Sequence, residues 1–182
     1  MRIISGQARG KKLESVPGMD TRPTTDRVKE SIFNILQTFP RSKRVLDLFA
    51  GTGQMGVEAL SRGAASAVFV DREEAAVRVI RRNLTGTPFE HRAAVVKGDF
   101  LEFLGKQEKN SFDLIFLDPP YGGNLLNQAL KTVEKFDILS SDGIIMCEYA
   151  LHDAVACPAS YQLHREYRYG KIRVALIRNE AL

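Results

Sequence analysis

The chain has 182 residues, of which 44% are hydrophobic and 26% charged. That length and composition are typical of one globular domain, and they exclude a disordered or disulfide-dense protein. No apolar run approaches the length of a membrane span, and the N-terminus lacks a signal-peptide pattern, so we expect a cytoplasmic protein without membrane contact. Cys147 and Cys157 belong to no CxxC or Cys/His cluster, so we predict no metal site.

The net charge of +4 is unevenly distributed along the chain. Residues 1–44 carry ten basic and four acidic side chains, whereas the rest of the chain carries sixteen basic and eighteen acidic ones. A localised positive excess is the feature with which proteins bind the phosphate backbone of nucleic acids. A solvated basic face without a partner is an equally good interpretation of the charge alone.

The first predicted elements lie in this basic segment. MRIIS and KKLESV are typical of two short strands, which together form a hairpin. PTTDRVKESIFNILQTF predicts a helix capped by Thr24 or Thr25. The helical spacing predicts that its buried face consists of Val28, Ile32, Ile35 and Leu36.

Short β-branched runs then alternate with helical patterns, as in βαβ units on a parallel sheet. The predicted strands are 44–50, 66–70, 93–97, 112–117 and 143–148. Residues 161–169 and 171–178 alternate about Gly170, which predicts an antiparallel hairpin at the end of the sheet. The prediction is therefore an α/β, Rossmann-like fold whose mostly parallel sheet carries this C-terminal hairpin, with an N-terminal hairpin and helix added.

A glycine loop follows the first predicted strand. Gly51, Gly53 and Gly56 fit GxGxxG, which lets the backbone approach a ligand at a helix N-terminus, and Asp71 stands where a carboxylate binds a ribose diol. A nicotinamide cofactor would place its pyrophosphate near Asp47, which would repel it. S-adenosylmethionine carries a sulfonium and an ammonium group instead, so Asp47 favours that cofactor.

Asp99 and Phe100 follow the third predicted strand. In S-adenosylmethionine enzymes an acid at this place commonly binds the adenine amine, and an apolar neighbour contacts the adenine ring. The alternative is that Asp99 only caps the next helix.

The fourth predicted strand leads directly into Asp118, Pro119, Pro120 and Tyr121. Two prolines can simply terminate a strand. Here an acid precedes the two prolines and a tyrosine follows them, at the edge of the sheet where such folds bind ligands. This arrangement indicates chemistry on a nucleobase amine. The Asp118 carboxylate and the Pro119 carbonyl would accept the two N–H groups of that amine, while Tyr121 offers an aromatic face to an unstacked base.

The strings RIISGQARGKKL, TRPTTDRVKESIFNIL, VLDLFAGTGQMGVEALSRGA and FDLIFLDPPY resemble the bacterial small-subunit rRNA (guanine-N2)-methyltransferase family, the RsmD type. The resemblance implies methyl transfer from S-adenosylmethionine to N2 of one guanine in 16S rRNA, within a small ribosomal subunit or an assembly intermediate. We also expect the protein to be a monomer. It implies a target-amine site of Asp118, Pro119, Pro120 and Tyr121. It implies a cofactor site of Asp47, Gly51, Gly53, Asp71, Asp99 and Phe100.

On the basis of this resemblance, we predict that residues 1–40 form a basic RNA-docking extension packed on the core. Residues 41–182 are then the predicted methyltransferase domain. The candidate RNA-binding residues are Arg2, Arg9, Lys11, Lys12, Arg22 and Arg27.

Two other enzyme classes share the same tetrapeptide pattern. Adenine-N6 methyltransferases of DNA usually carry a large recognition domain, for which this chain has no room. Glutamine-N5 methyltransferases usually carry a helical N-terminal domain and an asparagine in place of Asp118. A non-catalytic RNA-binding module is a third alternative, but it would need neither the glycine loop nor the DPPY string.

Overall fold

The structure, a computed structural model, describes residues 1–17, 26–122 and 124–179. In these ranges the strands are β1 (Arg44–Leu48), β2 (Ser66–Asp71), β3 (Ala93–Lys97), β4 (Phe112–Leu117), β5 (Leu139–Ala150), β6 (Tyr161–Tyr169) and β7 (Ile172–Asn179). The helices are α1 (Asp26–Leu36), α2 (Gln54–Ser61), α3 (Glu74–Leu84), α4 (Phe100–Leu104) and α5 (Leu125–Lys135), with a short 3₁₀ helix at Glu90–Arg92.

All seven strands belong to one sheet in the order β3-β2-β1-β4-β5-β7-β6. Strands β1 to β5 run parallel, β7 pairs antiparallel with β5, and β6 pairs antiparallel with β7. The strand order reverses between β1 and β4, where open α/β sheets bind their ligands. This topology confirms the predicted Rossmann-like sheet with a C-terminal antiparallel hairpin.

Helices cover both faces of the sheet, because its central strands are apolar on both sides. Val45, Leu46 and Leu48 of β1 are fully buried. One face packs against α1, α2, α3 and the N-terminal segment, and the other packs against α4 and α5. Helix α3 begins with Glu74 and carries two arginines in its last turn, and these charges complement its dipole.

The N-terminal segment differs from the predicted hairpin of two strands. Its two halves run antiparallel and meet in a single bridge between Arg2 and Lys12. The backbone N–H groups of Ile4 and Ser5 bond to the carboxylate of Glu58 instead of to a second strand. This side-chain acceptor on α2 therefore replaces part of the β ladder.

Helix α1 also differs in the residues that it buries. Val28, Ile32 and Leu36 are buried as predicted, whereas Ile35 is only half-buried. Lys29 and Phe33 are buried as well, and the Phe33 ring packs 5.8 Å from that of Phe116. The predicted caps, Thr24 and Thr25, lie outside the described residues.

Strand β5 begins earlier than the predicted 143–148 because Leu139 pairs with Phe112 of β4. It ends later because β7 pairs with it as far as Ala150. Within the described ranges, the helices are too short or too polar for a membrane span.

Candidate functional site

The candidate residues converge where the parallel strands end, at what we call the carboxyl edge of the sheet. Leu48 at the end of β1 pairs with Val70 of β2 on one side and with Leu117 of β4 on the other. Asp71 in turn pairs with Lys97 of β3. The glycine loop, Asp71, Asp99 and Asp118 therefore follow four neighbouring strand ends.

The glycine loop leaves β1 through unusual backbone conformations. Phe49 and Gly51 have φ of 66° and 56°. The left-handed region costs a bulky residue such as Phe49 about 1–2 kcal/mol, so the surrounding structure must impose it. A Cβ on Gly51 would meet no atom within 4 Å, whereas one on Gly56 would lie 2.4 Å from the Phe69 ring. Gly51 thus leaves an open face for a ligand, while Gly56 allows α2 to pack closely on β2.

Asp47 lies beneath this loop and is 4% exposed. Its Oδ2 accepts a hydrogen bond of 2.9 Å from the Gly56 N–H. Within the described part of the chain no cationic side chain forms an ion pair with it. Burial raises the pKa of this carboxyl to about 7, although the Gly56 bond acts in the opposite direction. A cation beside Asp47 would stabilise its charged form, as the ammonium group of S-adenosylmethionine could.

Asp71 fixes the other side of the loop. Its Oδ2 accepts the Gly51 N–H at 2.8 Å, and its Oδ1 accepts the Glu73 N–H at 2.9 Å. A carboxylate has about four acceptor positions, so these bonds leave capacity for a ribose hydroxyl. Asn83 of α3 holds the same loop by donating to the Thr52 carbonyl at 2.9 Å.

Asp99 caps α4, as the simpler interpretation of the sequence proposed. Its Oδ1 accepts the N–H groups of Leu101 and Glu102 at 2.8 and 3.2 Å. Both capping bonds use one oxygen, so the cap does not exclude a contact from Oδ2 to an adenine amine. The Phe100 ring packs 4.8 Å from the Phe49 ring. Phe49 is therefore part of the predicted apolar wall of the cofactor site, although the sequence pattern did not indicate this residue.

The DPPY residues lie between two shallow depressions. Asp118 is half-buried, Pro119 is buried and Pro120 is exposed. The first depression is lined by Asp118 together with Ile32, Met55, Phe116, Met146 and Val174. The second is lined by Pro119, Pro120 and Tyr121 together with Leu126, Asn127 and Tyr149. Because Ile32 belongs to α1, the N-terminal extension forms part of the wall around Asp118.

Glu148 of β5 lines both depressions, and sequence reasoning missed it. It is 6% exposed, and its Oε1 accepts a hydrogen bond of 3.0 Å from the Tyr121 hydroxyl. Tyr121 is 50% exposed, and this bond contributes to the orientation of its ring. The sequence does mark Glu148 in one way, because it is the single acidic residue in the otherwise apolar run GIIMCEYA.

The N-terminal segment is fixed by a buried ion-pair cluster, which we define as Lys29, Glu58 and Arg62. Lys29 and Glu58 are both fully buried. Lys29 Nζ lies 3.8 Å from Glu58 Oε2 and donates to the Arg2 carbonyl at 2.5 Å. Arg62 Nε donates to Glu58 Oε1 at 2.8 Å. Burial lowers the pKa of Lys29, and Glu58 partly opposes that effect.

The tip of the N-terminal segment lies at the far end of α2. The N–H groups of Gln7 and Ala8 donate to the carbonyl and hydroxyl of Ser61, at 2.8 and 3.1 Å. Helix α2 starts beside the glycine loop and ends at Ser61, and eight residues of helix span about 12 Å. Arg9 therefore lies about one helix length away from the carboxyl edge.

The predicted RNA-binding residues have different surroundings. Lys11 is half-buried and donates to the Thr85 carbonyl at 2.7 Å, so its charge caps the end of α3. Arg22 lies outside the described residues. The exposed members of the set are Arg2, Arg9, Lys12 and Arg27. Of these, Arg27 stands in the first turn of α1. Lys29 contacts Glu58 and the Phe33 ring contacts Arg62, so α1 runs in the same direction as α2 and its first turn is nearer the carboxyl edge.

Comparison with known proteins gives consistent matches along the chain. Residues 1–178 match the family described as Conserved hypothetical protein 95. Ribosomal RNA small subunit methyltransferase D of Escherichia coli is 36% identical, over all of this chain and 91% of its own length. The Bacillus subtilis protein YlbH is 42% identical over 82% of each chain. The solved structure of yhhF from Escherichia coli has a TM-score of 0.85 at 37% identity, covering 100% of this chain and 99% of that one.

Proposed function

Because the chain belongs to the Conserved hypothetical protein 95 family, we propose that it methylates N2 of one guanine in 16S rRNA. It is an S-adenosylmethionine-dependent methyltransferase with a Rossmann-like fold. The observation that carries the proposal is the pairing of Leu48 with Leu117, which puts the glycine loop and the DPPY residues side by side. A methyl donor on the loop and an amine at Asp118 would then be neighbours.

The residues of the carboxyl edge fit S-adenosylmethionine. Asp47 is a buried carboxylate to which a cationic ligand would supply the missing positive charge, and Gly51 leaves its face of the loop open. Asp71 would accept the ribose hydroxyls, Asp99 the adenine amine, and Phe100 with Phe49 would contact the adenine ring. The cofactor supplies an electrophilic methyl group on a positively charged sulfur.

The chain's own contribution is to position the amine. The Asp118 carboxylate and the Pro119 carbonyl would each accept one N–H of the guanine amine, which directs the nitrogen lone pair toward the methyl group. The rigid prolines fix the direction of that carbonyl, and Tyr121, oriented by Glu148, would stack on the base. The nitrogen–carbon bond forms as the carbon–sulfur bond breaks, and the proton that nitrogen loses passes to Asp118 or to water.

The proposal also covers the substrate and its binding. We place the target guanine in a small ribosomal subunit or an assembly intermediate, in the cytoplasm, and we treat the enzyme as a monomer. Residues 1–40 would act as the RNA-docking extension of a methyltransferase domain spanning residues 41–182. Arg2, Arg9, Lys12 and Arg27 support this role because they are exposed, and Arg22 of the same set lies outside the described residues.

Transfer of labelled methyl groups to small subunits and to 16S rRNA that lack the modification tests the proposal. Digestion of the product should yield labelled N2-methylguanine. Labelled N6-methyladenine or methylglutamine would select one of the other amino-methyltransferase classes. Absence of transfer to any of these acceptors, with S-adenosylmethionine bound, would leave a binding module as the better description.

A further inference from the structure

The turn between β6 and β7 lies at the same edge of the sheet as the DPPY residues. Ala150, the last residue of β5, pairs with Ile172, and Ile172 also pairs with Tyr169 of β6. Strand β5 runs parallel to β4 and ends at the carboxyl edge, so the antiparallel turn formed by Gly170 and Lys171 must also lie there. The sequence pattern predicted this hairpin, but it did not indicate that its turn borders the site.

Two cations at this turn are exposed and form no ion pair with a described acidic residue. Arg168 and Lys171 form no ion pair with any described residue, and Arg168 Nε points back over the turn toward the Gly170 carbonyl at 3.4 Å. Arg173 differs, because it pairs with Glu166 at 3.3 Å, and Glu166 also accepts the Tyr149 hydroxyl. Around the turn, Arg173 is thus neutralised internally, whereas Arg168 and Lys171 are presented to solvent.

The turn is fixed next to α1. The hydroxyl groups of Tyr169 and Ser31 are hydrogen bonded at 2.5 Å. Arg27 lies four residues before Ser31, so it occupies the same face of α1, one turn nearer to the carboxyl edge. Arg27 is exposed and forms no ion pair within the described ranges. Arg168 and Lys171 of the turn and Arg27 of α1 form no ion pair with a described residue, and all three therefore lie exposed at the carboxyl edge, where the target-amine site is.

We propose that Arg168, Lys171 and Arg27 form a second RNA-contact surface, the hairpin-turn patch, which binds backbone phosphates of the rRNA next to the methylated base. The inference rests on the proposed function and adds to it the contacts that hold the substrate at the site. Arg9 and the tip of the N-terminal segment lie about one helix length away. The hairpin-turn patch would fix the nucleotides at the base itself, and the N-terminal segment would bind more distant phosphates.

The experiment compares the variant Arg168→Ala/Lys171→Ala with the matched variant Lys131→Ala/Lys135→Ala. Lys131 and Lys135 are exposed cations of α5 without a described acidic partner, so both variants lose the same charge. The dissociation constants for small subunits that lack the modification and for an unmodified, protein-free 16S rRNA transcript are measured as a function of salt concentration. Each lost phosphate contact reduces the salt slope by roughly 0.7–0.9.

We expect the hairpin variant to reduce the slope by roughly 1–2 and to raise KM for RNA, with kcat at saturating RNA nearly unchanged. The α5 variant should keep the wild-type slope, and both should keep the wild-type melting temperature. Equal slopes for the two variants would overturn the hairpin-turn patch, while N2-methylguanine formation by the wild type would leave the proposed function intact. An effect on assembled subunits without an effect on the protein-free transcript would assign the patch to a ribosomal protein and overturn the RNA contact.

Discussion

Asp47 of β1 and Glu58 of α2 are two buried carboxylates whose surroundings differ. Glu58 is paired with Lys29 and Arg62 and accepts the N–H groups of Ile4 and Ser5. Asp47 accepts one N–H group, and burial raises its pKa to about 7. The charge of Glu58 is balanced within the chain, whereas Asp47 has no cationic partner among the described residues.

This difference separates residues that stabilise the fold from residues that serve the reaction. A buried ion pair whose partners are all internal mainly fixes a conformation, here the position of the N-terminal segment on α2. A buried acid without an internal cation costs stability when it is charged, which is expected for a residue retained for binding. Asp118 is half-buried, and in our proposal it serves the reaction by accepting the target amine. Substitutions at the three acids should therefore change different measured quantities.

The largest effect is expected at Asp118. Asp118→Ala removes one acceptor of the target amine, so kcat should fall by roughly 10²–10³-fold, as when one transition-state hydrogen bond is lost. Binding of S-adenosylmethionine and the melting temperature should stay at wild-type values. Single-turnover methyl transfer and calorimetric titration measure these quantities. Asp153→Ala, at the margin of the second depression, is the matched control and should keep full turnover. Near-normal turnover of Asp118→Ala would show that Asp118 takes no part in the reaction.

The next effect is on stability. Glu58→Gln keeps the shape of the side chain but leaves Lys29 without its buried partner, so the free energy of unfolding should fall by about 3 kcal/mol. Denaturant unfolding measures the change. Glu102→Gln is the control, because Glu102 forms an exposed pair with Lys106 at the same i, i+4 spacing as Glu58 and Arg62. That substitution should cost about 0.5 kcal/mol or less. Equal losses for the two variants would contradict a structural role for the ion-pair cluster.

The smallest effect concerns the pH dependence of cofactor binding. Because the folded-state pKa of Asp47 is about 7, the carboxyl ionises as pH rises through neutrality. A cationic ligand prefers the ionised form, so the affinity for S-adenosylmethionine should rise several-fold between pH 6 and 7.5. Asp47→Asn should bind more weakly and show no such rise. Isothermal titration at three pH values measures both, and a rise retained in Asp47→Asn would assign the titration to another group.

Asp47→Asn should weaken cofactor binding but increase the stability of the fold. A folded-state pKa above the ordinary value of 3.8 means that the protonated carboxyl favours folding, and that this contribution is lost as pH rises from about 4 to 7. Asp47→Asn should remove this loss, so its melting temperature should exceed that of the wild type increasingly over this range. Weaker binding combined with higher stability would distinguish Asp47 from Glu58.

Much of the fold and site followed from local patterns. The strand runs, the glycine loop and the DPPY string are contiguous, and each requires particular residue types at fixed spacing, so the sequence predicted their place at the strand ends. Glu148 and Phe49 were not predicted, and each case has a physical reason. Glu148 acts through Tyr121, which is distant in sequence, and Phe49 takes a backbone conformation that its residue type disfavours.

The distribution of charge also separates what the sequence determines from what only the tertiary structure decides. By itself, the sequence determined that the basic excess lies in residues 1–44, that the sheet is mostly parallel, and that an acid and a tyrosine enclose two prolines at its carboxyl edge. Only the tertiary structure decided that Lys29 is buried against Glu58, that Lys11 caps α3, and that the β6–β7 turn borders the site. The reason is that strand register and helix packing join residues far apart in the chain, and those contacts decide which charges are balanced internally and which stay available to a substrate.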